Sequence, residues 1–146
     1  MSAKKGNGLG QYVSSRAVGG VTDASPHKLI EMLFSGALEK IRLAKSAMQQ
    51  DLVVVKLNAI SDAIAILEGL ILSLDTEQGG ELANNLGSLY EYIGKRLVDA
   101  NSTNDAAKLD ECIKLLNEIK SAWDEIPALL ATQGAAQGNV AARSAA

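Results

Sequence analysis

The chain has 146 residues, of which 47% are hydrophobic, 21% charged and 3% aromatic, and its 14 Lys and Arg against 17 Asp and Glu give a formal charge of -3. That length suits one domain around a single core, and so few aromatic side chains leave the core to Leu, Ile, Val and Ala, which suits helices. Lys and Arg scatter singly among Asp and Glu, so the sequence offers no basic face to nucleic acid.

The first segment, residues 1–24, holds Gly6, Gly8, Gly10, Gly19 and Gly20 with few apolar side chains and reads as a flexible N-terminal arm. Its start, Met1 to Gly10, lacks the apolar core of a secretory signal. No run anywhere approaches the roughly 18 apolar residues that a bilayer span needs. The expectation is a cytoplasmic protein without membrane insertion. Pro26 and Pro127 leave a hundred residues between them free of proline. Ser25-Pro26 reads as a helix start, with the Ser hydroxyl as cap and Pro at the first helical position.

The first helix carries Ile30, Phe34, Ala37, Ile41, Ala44 and Met48 at alternating steps of four and three, which places them on one stripe. Gln49, Gln50 and Asp51 offer a turn. The second helix keeps the same rhythm through Val53, Leu57, Ile60, Ile64, Leu67, Ile71 and Leu74, taken here as its core face. Asp75 to Gly80 breaks the period with two glycines and reads as a loop. The third helix carries Leu82, Leu86, Leu89, Ile93 and Leu97 and stops at the polar run Asn101 to Asp105. The fourth carries Leu109, Cys112, Leu116, Ile119, Trp123, Ile126 and Leu130. Residues 132–146, rich in Ala, Gly, Gln and Ser without period, read as a disordered tail. Residues 25–131 are thus expected to form an all-α, antiparallel up-down four-helix bundle. Heptads also serve long coiled-coil dimers, but the glycine loop favours folding back.

Bundles often house catalytic or cofactor chemistry, and the residues for it are missing from the sequence. One histidine, His27, cannot supply the two Glu-x-x-His pairs of a di-iron site, and one cysteine cannot supply Cys-x-x-Cys-His for haem. Cys112 lies in an apolar periodic segment and reads as a small buried hydrophobe. His27 has no neighbouring nucleophile and is read as structural or surface. Gly79-Gly80 lacks the lysine and the preceding strand of a phosphate loop. Asp75, Glu77 and Glu81 fit no calcium loop and are placed to favour a helix N-terminus. No enzyme activity, cofactor, metal or small-molecule substrate is expected.

What remains after one stripe per helix is a second set of apolar or small residues. On the second helix these are Ala59, Ala63, Ile66 and Leu70, and on the third Ala83, Gly87, Tyr90 and Gly94. Two glycines inside a helix cost roughly 1 kcal/mol each relative to Ala, so the bare backbone should serve a close approach. Either the two helices pack tightly on each other, or the stripes line a groove that takes an amphipathic helix from a partner, with Tyr90 as anchor.

In order and spacing, several runs resemble the flagellin secretion chaperones of the FliS family. They are Ala24-Ser25-Pro26-His27-Lys28-Leu29-Ile30-Glu31-Met32-Leu33-Phe34-Ser35-Gly36-Ala37-Leu38, Gly79-Gly80-Glu81-Leu82-Ala83, Asn85-Leu86, Leu89-Tyr90-Glu91-Tyr92, Ala100-Asn101 and Ala122-Trp123. The resemblance spans about residues 12 to 126. It implies a non-enzymatic cytoplasmic chaperone that binds the disordered C-terminal segment of flagellin, prevents premature polymerisation and presents it to the flagellar type III export apparatus. It also implies an N-terminal segment over the groove, with Tyr12 matching the family's tyrosine there. Phe34-Ser35 stands where Tyr-Asp is common in the family. The alternative reading is a generic helical adaptor or self-associating bundle unrelated to export.

Overall fold

The computed structural model describes residues 25–125. The arm with Tyr12, the tail, the domain limits at residues 24 and 131, and Ile126 and Leu130 lie outside the described residues.

Four helices follow in order: α1 (Pro26–Gln49), α2 (Val53–Leu72), α3 (Thr76–Thr103) and α4 (Ala106–Asp124). Only two or three residues join each pair, which forces neighbours to run antiparallel. Around the bundle α1 packs on α2 and α4, and α3 on the same two helices, giving the up-down architecture expected of the periodicity.

The helix boundaries have local causes. Ser25 caps α1, its Oγ accepting the Lys28 N–H at 3.1 Å, with Pro26 in the first turn. Asp51, at φ 59°, turns the chain into α2. Asp75 caps α3, accepting the Glu77 and Gln78 N–H groups at 3.1 and 3.0 Å. Asn104 ends α3 in the left-handed region at φ 53°, and Asp105 caps α4 by accepting the Ala107 N–H.

The expected loop from Asp75 to Gly80 is therefore mostly helical. Its first turn is capped by Asp75, and the break is confined to Gly80, at φ 54° and ψ -128°. That conformation belongs to glycine, because a Cβ collides with the backbone there. The end of α3 also differs, since Asn101 to Thr103 continue the helix and only Asn104 and Asp105 turn.

The core of α1 is as the periodicity places it. Phe34, Ala37, Ile41, Ala44 and Met48 are buried and Ile30 packs at the edge. In α4, Leu109, Cys112 and Leu116 are buried, with Ile119 and Trp123 at the margin. Burial pushes the Cys112 thiol up to about 12, which fits a small core hydrophobe. In α2 and α3 the expected stripes share the inward side with the second set: Ile60, Leu67, Ile93 and Leu97 are buried, and Ile64, Ile71, Leu74, Leu86 and Leu89 pack against the core. The buried face of α2 runs through Ala59, Ile60, Ala63, Ile66, Leu67 and Leu70, while Val53 and Leu57 of the expected core stripe are exposed. On α3 the buried face is Ala83, Tyr90, Ile93, Leu97 and Ala100, and Leu82 is exposed.

Two polar devices tie the bundle's ends. At one, the His27 and Trp123 rings stack at 4.8 Å with 7° between their planes. His27 Nε2–H donates to the Trp123 carbonyl at 2.8 Å, and Trp123 Nε1–H donates to the His27 carbonyl at 3.1 Å. The contact joins the start of α1 to the end of α4 and gives the Trp123 carbonyl, in the last turn of α4, a side-chain donor. At the other end Lys56, 8% exposed, sends its ammonium to the Asn101 carbonyl at 3.3 Å and Asn104 Oδ1 at 3.0 Å. A cation at the C-terminus of α3 is favoured by the helix dipole.

Two outcomes follow for stability. Trp123→Ala should lower the unfolding free energy in urea by about 2–4 kcal/mol and His27→Ala by about 1–2 kcal/mol. The double variant should lose clearly less than their sum, because both remove the same contact. Gly80→Ala should cost about 1–3 kcal/mol, and since the new methyl would meet nothing within 4 Å beyond the adjoining backbone, the loss read in a thermal melt is backbone strain and not crowding.

Candidate functional site

Between α2 and α3 the bundle surface opens into a groove of about 630 Å³, lined by Ile64, Leu67, Glu68 and Ile71 from α2 and Tyr90, Glu91, Gly94, Lys95, Val98 and Asp99 from α3. Leu67 and Tyr90, 2% and 3% exposed, form its floor where groove and core meet.

Tyr90 is held from behind by Phe34, their ring centroids 6.2 Å apart, and Phe34 in turn meets Trp123 at 6.4 Å. An aromatic chain thus runs from the His27–Trp123 clamp to the groove floor. Burial pushes the Tyr90 hydroxyl up to about 12, so it stays neutral at any physiological pH.

Gly94 opens the groove. A Cβ built on it meets nothing within 4 Å, whereas one on Gly87 would lie 3.4 Å from Leu74 Cδ1. The two glycines that look alike in the sequence therefore differ: Gly94 faces free space, and Gly87 lies against Leu74 of the α2–α3 joint.

The neighbouring seam of α3, against α4, is closed. There Glu111 accepts from the Tyr92 hydroxyl and from Arg96 Nε at 2.8 Å. The Tyr92 hydrogen bond first, and then the Arg96 one, hold the Glu111 carboxyl below the usual range. Ion pairs likewise join α1 to α2 (Lys40–Asp62, 3.3 Å) and α1 to α4 (Lys45–Asp110, 2.7 Å).

Of the residues expected to line a groove, the structure brings Tyr90 and Gly94 to it. Ala59, Ala63, Ile66 and Leu70 are corrected to core positions, at 2%, 0%, 1% and 1% exposure, and Ala83, at 4%, is buried as well. Small residues there allow α2 to pack closely on its neighbours. Ile64 and Ile71, assigned from the sequence to the core, pack against its margin and line the groove as well, and Val98 joins them there. Val98 stands outside every heptad stripe, and its signal was a large aliphatic residue next to Asp99 on an otherwise polar face. Among the described residues no group of His, Cys, Asp and Glu could hold a metal ion, and no helix is long and apolar enough to cross a membrane. The arrangement is that of a helical binding module with an apolar slot and a charged rim.

Comparison with known proteins assigns the module. The family model described as flagellar protein FliS matches residues 9–129. The flagellar secretion chaperone FliSB of Pseudomonas aeruginosa is 47% identical over 116 residues, 80% of this chain and 92% of that protein. The flagellar secretion chaperone FliS of Salmonella typhimurium is 44% identical over 121 residues, 82% of this chain and 90% of that protein. That of Bacillus subtilis is 33% identical over 105 residues, 72% and 77% of the two chains. The chain belongs to the FliS family of flagellar secretion chaperones.

The glycines give a direct check on the geometry. Gly94→Ala should raise stability by about 1 kcal/mol through helix propensity. Gly87→Ala should gain less, because its methyl must settle against Leu74. Equal gains in a thermal melt would mean that both positions face open space.

Proposed function

We propose that this chain is a cytoplasmic export chaperone that holds the disordered C-terminal segment of flagellin in the α2–α3 groove, keeps it from polymerising, and delivers it to the flagellar type III export apparatus. Membership of the FliS family across residues 9–129 carries this reading. The groove supplies a physical means: Ile64, Leu67, Ile71 and Val98 present apolar surface to one face of an amphipathic helix, and Gly94 leaves room for a bulky side chain. Covering the apolar faces of flagellin ends removes the drive for them to associate with each other. Ordering the guest costs roughly 2–5 kcal/mol of the gross interaction energy, so a specific complex can still be released without nucleotide hydrolysis or any other chemistry. The chaperone is not an enzyme under this reading. The arm with Tyr12 competes for the same groove, as the family resemblance implies.

Gly94→Leu tests the site. It should keep or raise the melting temperature, since leucine is the better helix former, and weaken binding of a flagellin C-terminal peptide at least about tenfold, or about 1.4 kcal/mol, by calorimetry. Deleting residues 1–24 should strengthen the same binding. If wild-type protein retains no flagellin from an extract of flagellated cells, the generic-adaptor reading replaces this one.

A further inference from the structure

The groove does not contain all of the apolar surface that faces the same way. Val53, Leu57, Ile64 and Ile71 follow at spacings of four, seven and seven, which at 3.6 residues per turn keeps them within about 40° around α2. Ile64 and Ile71 line the groove, while Leu57 and Val53, 47% and 65% exposed, continue the line beyond it. Lys56 fixes their level. Its ammonium reaches the Asn101 carbonyl and Asn104 Oδ1, so the adjacent Leu57 stands beside the end of α3 and Val53 lies past it. From Val53 to Ile71 the track is about 27 Å long, roughly twice the length of the groove wall from Tyr90 to Asp99.

The charges on this surface select what can cover it. Residues 25–125 hold sixteen Asp and Glu against ten Lys and Arg, and the groove wall gathers Glu68, Glu91 and Asp99 around a single Lys95. A second copy of the chain would bring another carboxylate surplus to the same rim, whereas a cationic flank gains from it.

We propose that groove and track form one continuous docking surface for a single amphipathic helix of about five turns, apolar at heptad spacing on one face and carrying Lys or Arg beside that face. This rests on the reading of the α2–α3 groove as the guest site, and adds to it the length and charge of the guest. Val53 and Leu57 grip the far half of the helix, and Ile64, Ile71, Val98 and the space over Gly94 grip the near half.

The test uses the full chain and two synthetic peptides of 20 and 12 residues, with Leu at heptad spacing and Lys on the flanks. Both are held helical by side-chain lactam bridges so that length does not change helicity. Val53→Ser and Leu57→Ser alter exposed side chains and should leave the melting temperature unchanged. By fluorescence anisotropy the double variant should bind the 20-residue peptide about tenfold more weakly, and the 12-residue peptide within about twofold of wild type. A 20-residue peptide with Glu in place of Lys should bind at least about tenfold more weakly than its parent at low salt, and the gap should narrow at high salt. Gly94→Leu should remove both Lys peptides. Undiminished binding of the long peptide to the double variant, or equal binding of the Lys and Glu peptides, overturns the proposal even where Gly94→Leu abolishes binding. Retention of both Lys peptides by Gly94→Leu overturns the groove reading itself. A dimer in sedimentation that the double variant dissolves would give the track to a second copy and overturn the proposal too.

Discussion

The arrangement depends on how α2 is turned about its own axis. Its sequence is apolar on most of its circumference, and a helix of that kind is normally buried on all sides. Here it is not, because its smallest residues decide which side faces in. Ala59 and Ala63 are buried, as are Ala37 and Ala44 on α1, and small side chains permit the closest approach of helix axes. Once that face is committed to the interior, the large aliphatic side chains of Val53, Leu57, Ile64 and Ile71 are carried round to the α3 side and beyond. Ile64 and Ile71 pack against the core from its margin, and the groove follows from the same rotation.

The rest of the bundle holds this rotation in place. The His27–Trp123 clamp fixes α4 against the start of α1, and Phe34 relays the contact to Tyr90 on α3. At the opposite end Lys56 hydrogen-bonds the closing residues of α3, pinning α2 to α3 just below the groove. The two helices are therefore tied at the level of Lys56 and joined by a short turn at the other end, with Gly80 absorbing the change of direction. Between those ties their walls stand apart, over Gly94.

Much of this was legible in the sequence. Ser25-Pro26 marks the start of α1, four heptad stripes give four helices, and short polar joints give antiparallel neighbours. The core faces of α1 and α4 follow because each helix has one apolar stripe and a polar remainder, so its phase is unambiguous. In α2 two stripes compete, and periodicity cannot rank them, since 53-57-60-64-67-71-74 and 59-63-66-70 satisfy the same rhythm. Facing a guest and packing closely within a bundle make the same demand for small side chains, so the sequence leaves both open for Ala59, Ala63 and Ala83, which are buried in the bundle. Gly94 and Tyr90 reach the groove for different reasons. Gly94 lies where no neighbouring helix comes close, and Tyr90 belongs to the core with one edge at the groove floor. Neither distinction is encoded in spacing along one chain, because each depends on where the neighbouring helix lies.

A surface built this way separates binding from folding. The stripe that stabilises the bundle is made of Ala59, Ile60, Ala63, Ile66 and Leu70, fully enclosed, while Val53, Leu57 and Val98 are exposed and Ile64 and Ile71 sit at the core's margin. Val53 and Leu57, 65% and 47% exposed, add less to stability than enclosed side chains do, and with Ile64 and Ile71 they form one line of about 27 Å, about the length of a five-turn helix. A protein that must hold an aggregation-prone segment and later release it gains from this division. Its own fold is not loosened when the guest leaves, and the guest's affinity can be tuned at the groove without changing the core. Leu67 and Tyr90 are the exceptions, serving core and groove at once, and substitutions there should affect folding and binding together.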